Sequence, residues 1–170
     1  MTPEVLRFAD DGSIPNNPRL PVLLYRTALP PGDPATAEAL FAANGWPPAW
    51  RNGIHPFHHY HPNAHEALAI ARGEVRVQLG GAAGPVLSLA AGDVVVLPAG
   101  VGHRNLGASA DLLVVGAYPP GAAPEEFTGT EAQHAEALPA IDMVEDPPSD
   151  PVAGGPWPSE PPPALGDFAA

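Results

Sequence analysis

His59, His61, Glu66 and His103 are the residues whose types and spacing could do chemistry. The first three lie in the stretch Gly53 to Gly73, "GIHPFHHYHPNAHEALAIARG", and the fourth in Gly92 to Asn105, "GDVVVLPAGVGHRN". Three imidazoles and one carboxylate make a site for one divalent first-row metal. On an extended segment successive side chains face opposite sides, so His59 and His61 face the same way while His58 and Tyr60 point outward. Pro56 interrupts the phase before them, which leaves open whether His55 and Phe57 line the same pocket. After the turn "PNA", only one of His65 and Glu66 can face inward. One parity carries Glu66, Leu68 and Ile70, the other His65, Ala67, Ala69 and Ala71. Bulky aliphatics belong in a core and alanines on a closely covered outer face, so Glu66 goes inside. In the second stretch Pro98 cannot donate to a ladder and Gly100 accepts positive φ, a bend that returns His103 toward the first pair.

The elements that must position these groups read as strands. From Arg51 to Tyr118, short Val, Leu and Ile runs are broken by Gly, Pro and Asn at intervals of about 8 to 12 residues, the pattern of an all-β sandwich or barrel. The expected strands are 53–61, 65–72, 74–79, 85–90, 93–98, 102–106 and 111–118. "EVRVQL" alternates, with Val75, Val77 and Leu79 on one face. "DLLVVGAY" is apolar on both parities, so neither of its faces should see much water. Upstream, "DDGSIPNNPR" is turn chemistry, and "LPVLLYRTAL" reads as a buried strand near 22–28. "PPGDPATAEALFAANGW" reads as one helix that covers the core, capped by Asp33, begun by Pro34 and stopped by Gly45. "WPPAWRN" either floors a ligand pocket or plugs a barrel end. Downstream of Tyr118 the chain turns rich in Pro, Gly, Ala and acids. We expect a docked extension over 121–157 with a helical piece near 130–137, and a disordered tail over 158–170.

The chain has 170 residues, with 7 Lys and Arg against 19 Asp and Glu and a formal charge of -12. Every one of the basic residues is Arg, so a lysine Schiff base is excluded. The absence of Cys excludes thiolate ligands, disulfides and a Cys nucleophile. The negative charge disfavours nucleic acid and anionic membrane surfaces. No apolar run approaches the roughly 20 residues that span a bilayer. The acidic N-terminus is unlike a signal peptide, and the expected location is the cytoplasm.

The two blocks resemble the paired motifs of the cupin superfamily. The first family motif is Gly, five residues, His-x-His, four residues, Glu, six residues, Gly, and Gly53, His59, His61, Glu66 and Gly73 match it throughout. The second is Gly, five residues, Pro-x-Gly, two residues, His, three residues, Asn; Gly92, Pro98, Gly100 and His103 match, while position 107 is Gly and Asn105 falls two residues early. That Asn is not a ligand in the family. The resemblance implies a double-stranded β-helix, or jelly-roll, barrel over 51–120, packed against an N-terminal strand and helix within 1–50, with the metal held inside by His59, His61, Glu66 and His103. The flanks "DDGSIPNNPRLPVLLY", "NGWPPAWRNGI" and "DPVAGGPW" resemble a narrower group, the YjlB-like cupins. Imidazole with carboxylate suits Mn or Fe first and Ni, Co or Zn next. Four protein ligands on a six-coordinate ion leave two positions for a small-molecule ligand or O2. Dioxygenation or isomerisation, non-catalytic capture of a sugar or organic acid, and a purely structural metal all stay open, because no nucleophile or free base lies near the histidines. The alanine face of 65–71 and the doubly apolar strand 111–118 need a cover, which the N-terminal strand of the same chain or of a second subunit could supply, and a homodimer is expected.

Overall fold

The computed structural model describes residues 1–157 and the backbone of 166–168. Two antiparallel sheets face each other as a jelly-roll barrel. The strands are β1 (Glu4–Phe8), β2 (Val22–Tyr25), β3 (Pro48–Asn52), β4 (His59–Tyr60), β5 (Glu66–Arg72), β6 (Glu74–Leu79), β7 (Val86–Ala90), β8 (Val94–Leu97), β9 (His103–Ala108), β10 (Leu113–Ala117), β11 (Phe127–Thr128) and β12 (Gly166–Phe168). The larger sheet runs β12-β1-β2-β8-β5-β10-β3 and the smaller β11-β4-β9-β6-β7, with β12 alongside β1 as the parallel pair. The helices are α1 (Pro34–Ala43) and α2 (Glu131–Met143).

Strand alternation builds two apolar layers from the larger sheet. Leu68, Ile70, Val95, Leu97, Val114 and Leu24 point between the sheets, where they meet Val75, Val77 and Leu79 of β6. Ala67, Ala69, Val94, Val96, Val115 and Leu23 point the other way, onto Phe41 of α1, Trp46 and Tyr25. This second layer explains why β8 and β10 are apolar on both parities. The alanines let α1 approach closely, so the face expected to need a cover is covered within the chain. Asp33 caps α1 by accepting from the Ala35 amide at 2.9 Å, and Gly45 ends it at φ +82°. On the outside of the smaller sheet, Ala137 and Ile141 of α2 pack on Tyr60, Phe127 and Ile14.

The strand expected over 53–61 shortens to His59–Tyr60, because Gly53 and Pro56 keep the preceding residues irregular; they form a rim instead. "WPPAWRN" is divided: Pro48–Asn52 is edge strand β3, paired with β10, while Trp46 is fully buried outside the barrel. N-terminal strands β1 and β2 join the larger sheet itself rather than packing over it. Of the tail expected to be disordered, 158–165 and 169–170 lie outside the described residues, whereas Gly166–Phe168 form β12 against the otherwise open edge of β1. No helix among the described residues is long and apolar enough to cross a membrane.

Candidate metal centre

Three elements deliver the four groups. His59 in β4 lies opposite His103 in β9. Glu66 starts β5 on the facing sheet. His61 follows β4 directly, and its carbonyl accepts the Gly100 amide at 2.8 Å, which ties the bend of the second block to the first. Gly100 has φ +91°, and a Cβ there would lie 2.6 Å from the Asn16 carbonyl oxygen. From the other side buried Asn16 holds the same bend, accepting from the Gly102 amide at 3.2 Å and donating to the Gly80 carbonyl at 2.9 Å.

The four side chains meet at the floor of a cavity between the sheets. His61 Nε2 is 3.1 Å from Glu66 Oε2, and His103 Nε2 is 3.3 Å from Glu66 Oε1. The rings of His59 and His103 are 4.1 Å apart, centroid to centroid. Each imidazole is pinned at Nδ1 by a backbone carbonyl: His59 by Phe57 at 3.0 Å, His61 by Glu125 at 2.6 Å and His103 by Val101 at 3.1 Å. A ring that donates Nδ1–H to a carbonyl keeps its lone pair at Nε2. Two such lone pairs face a carboxylate, acceptor against acceptor, an arrangement that requires a proton or a cation between them. The donor types therefore suit a divalent ion. As the side chains stand, Glu66 closes directly on two imidazoles, and no three acids or imidazoles among the described residues are arranged to hold a metal.

The electrostatics follow. Burial disfavours the Glu66 anion, but hydrogen bonds from His103 and His61 outweigh it and hold the carboxyl well below the usual range. Burial also works against a charged His61, yet the Glu66 contact prevails and raises it. His59 has no carboxylate this close; burial, then His103, pulls it down to about 3.

The cavity is about 320 Å³, and Trp50, Asn52, Ile54, His55, Leu68, Tyr118 and Glu126 line it with the four groups. The Trp50 indole donates to the Tyr118 hydroxyl at 3.0 Å. Burial, then the Glu66 charge, pushes the Tyr118 phenol up. Trp50 lies flat on the sheet because Gly116 faces it, where a Cβ would fall 2.1 Å from the indole. His55 does line the cavity, at its mouth, 3.0 Å from Glu126. Phe57 stacks on His55 with ring centroids 4.8 Å apart. Asn105 lies outside the lining, its side chain accepting from the Gly107 amide at 2.7 Å. His65 faces away from the cavity, as its parity requires. Sequence reasoning missed Tyr118, Glu126 and Asn16. Tyr118 follows an apolar run, Glu126 sits in a stretch without periodicity, and Asn16 reads as turn chemistry.

The Cupin domain family model matches residues 51–116, in agreement with this fold and with both motif blocks. The chain is a cupin. Uncharacterized protein YjlB of Bacillus subtilis (strain 168) is 42% identical over 147 residues, which are 86% of this chain and 88% of that one. The chain belongs to the YjlB-like cupins. Among solved structures, a Bacillus subtilis oxalate decarboxylase described for its Mn(II) centers matches at 16% identity and TM-score 0.37, over 74% of this chain and 35% of that one. The formate complex of Lactobacillus farciminis oxalate decarboxylase matches at 14% and TM-score 0.33, over 74% and 34%. The chain thus spans about a third of the length of these solved structures.

Proposed function

We propose that this chain is a metal-dependent cupin acting on a small oxygenated molecule, with His59, His61, Glu66 and His103 holding one divalent first-row ion. The carrying observation is the set of three imidazoles, each pinned at Nδ1, with two Nε2 atoms turned onto a buried carboxylate. Mn or Fe suits these nitrogen and oxygen donors first, and Ni, Co or Zn next. Bound there, such an ion supplies Lewis acidity and, if redox-active, one-electron chemistry with O2. The chain's residues supply the remainder. Glu66 offsets two units of positive charge by one. Tyr118 presents a phenol that burial and Glu66 keep protonated and able to donate. Ile54 and Leu68 make part of the wall apolar. The cavity's size, about 320 Å³, limits the ligand to a compact molecule, and dioxygenation or isomerisation is the reaction class we propose for it.

Non-catalytic capture of a small molecule is the second reading. It is favoured by one observation: His55, the remaining imidazole in the lining, is engaged with Glu126 at the mouth.

The test is elemental analysis of protein purified without added metal, followed by O2 uptake and product analysis on ligands found by thermal shift. About one equivalent of transition metal with turnover of a hit supports the enzyme. Metal and tight binding without turnover support capture. Metal-free protein whose melting temperature ignores added Mn, Fe, Ni, Co and Zn would sink the metal-dependent reading, and the absence of any thermal-shift hit would sink capture.

A further inference from the structure

None of the seven Arg of the chain lines the cavity, and the chain has no Lys. The two Arg closest in sequence to lining residues turn outward. Arg51, next to Trp50, reaches Glu38 of α1, with Nε 3.1 Å from Oε2. Arg104, next to His103, donates from Nε to Gln78 Oε1 at 2.9 Å. The wall offers uncharged polar groups, the Tyr118 hydroxyl and the Asn52 amide, with the Trp50 ring beside them. It also offers two carboxylates, Glu66 at the floor and Glu126 at the mouth. The side chain of Glu126 is 41% exposed and paired with His55.

A divalent ion contributes two positive charges; Glu66 offsets one of them at the floor, and Glu126 adds a second negative charge at the mouth. A ligand carboxylate would therefore have to pass a carboxylate at the entrance and would find no guanidinium to pair with inside. A buried charge without a partner is expensive. Hydroxyl groups meet no such penalty, because they can donate to Glu126 and accept from Tyr118 and Asn52.

We infer that the ligand of this site is an uncharged, hydroxyl-bearing small molecule, and that Glu126 at the mouth turns anions away. The inference rests on the metal-dependent reading of the same site.

The experiment uses the full chain loaded with Mn(II), its metal content measured first, and calorimetric titration with two charge-matched triads. One is glucose, glucosamine and glucuronate; the other is catechol, dopamine and protocatechuate. In at least one triad the uncharged member should bind with the lowest Kd, about tenfold or more below the anion. Glu126→Gln should narrow that ratio several-fold and Glu126→Lys should reverse it. Glu126 is a partly exposed rim residue, and circular dichroism checks that each variant folds. The inference is overturned by an anion or a cation as the tightest member of every triad that binds, by silence from both triads, or by a ratio that neither variant moves. Protein that takes up no metal but still prefers the uncharged member would refute the metal and leave the charge preference standing.

Discussion

Glu66 is where the electrostatics of the site turn. It is 3% exposed, and contacts to two imidazoles keep it ionised. Glu66→Ala should therefore abolish or strongly reduce bound metal in elemental analysis, since among the described residues it removes the one carboxylate at the floor of the site. Its neighbour His65 is just as buried and serves the opposite side of the strand. Its Nε2–H donates to the Glu145 carbonyl at 2.8 Å, and its Nδ1 accepts from the Ala99 amide at 3.0 Å. His65→Ala should keep metal content near wild type and lower stability by about 1–3 kcal/mol, because a buried donor and a buried acceptor lose their partner. The urea midpoint reads the second effect. If His65→Ala strips the metal and Glu66→Ala keeps it, the orientation assigned to β5 is wrong. This division was legible in the sequence, because Leu68 and Ile70 share parity with Glu66 while the alanines share parity with His65. Tyr118 was not legible: nothing in "VVGAY" announces that the last residue turns its hydroxyl toward Glu66.

At the scale of elements, β3 and β10 show how backbone space shapes the site. Gly116 pairs with Trp50 across these strands, and the register slips between Gly116 and Ala117. The missing side chain is the space the indole fills. Gly116→Ala should push Trp50 off the sheet, break its bond to Tyr118 and cost about 1–3 kcal/mol through overpacking. A lower melting temperature with a shifted tryptophan emission would confirm it; an unchanged emission would count against it. In the sequence Gly116 is one residue of an apolar strand, and nothing there points to its partner, which comes from a segment more than sixty residues upstream, "WPPAWRN", whose reading is a pocket floor or a barrel plug. Helix α2 shows a similar limit. A helical piece near 130–137 was expected, but the helix continues to Met143 through Pro139. Proline costs a helix one backbone bond, and the contacts of Ala137 and Ile141 with Tyr60 and Phe127 compensate. Tertiary packing of this kind leaves no local signature.

At the scale of the whole molecule, one chain seals the outer layer of its own larger sheet. Alongside α1, a C-terminal strap closes that layer: the Trp46 indole donates to the Ser149 carbonyl at 2.9 Å, and the Asn44 amide to the Pro151 carbonyl at 2.8 Å. The alanine face therefore no longer calls for a second subunit, and a homodimer would have to form through another surface. Asp150 anchors the strap. It is 2% exposed, accepts the Tyr25 hydroxyl, and accepts from the Val152 and Ala153 amides at 2.8 and 3.0 Å. Asp150→Ala should destabilise the chain by about 2–4 kcal/mol with metal uptake unchanged, by calorimetry and elemental analysis together. Acid should act on the molecule in a related way, through groups that are buried uncharged. Burial pushes His58 and His59 down from 6.5 to about 4 and about 3, and lowers His65 too. In each case the unfolded chain takes up its proton first, so their stabilisation is complete above 6.5 and is lost as pH falls toward the folded values. Glu66 is also depressed, and its contribution fades only as pH falls below 4.5. His61 runs the other way: it is raised, so its contribution is present below 6.5 and lost as pH rises through the folded value. Three depressed imidazoles oppose one raised imidazole. Metal-free protein should therefore unfold at lower urea at pH 5 than at pH 7.5. A midpoint that rises on acidification would show that the His61–Glu66 contact outweighs the burial of the other three.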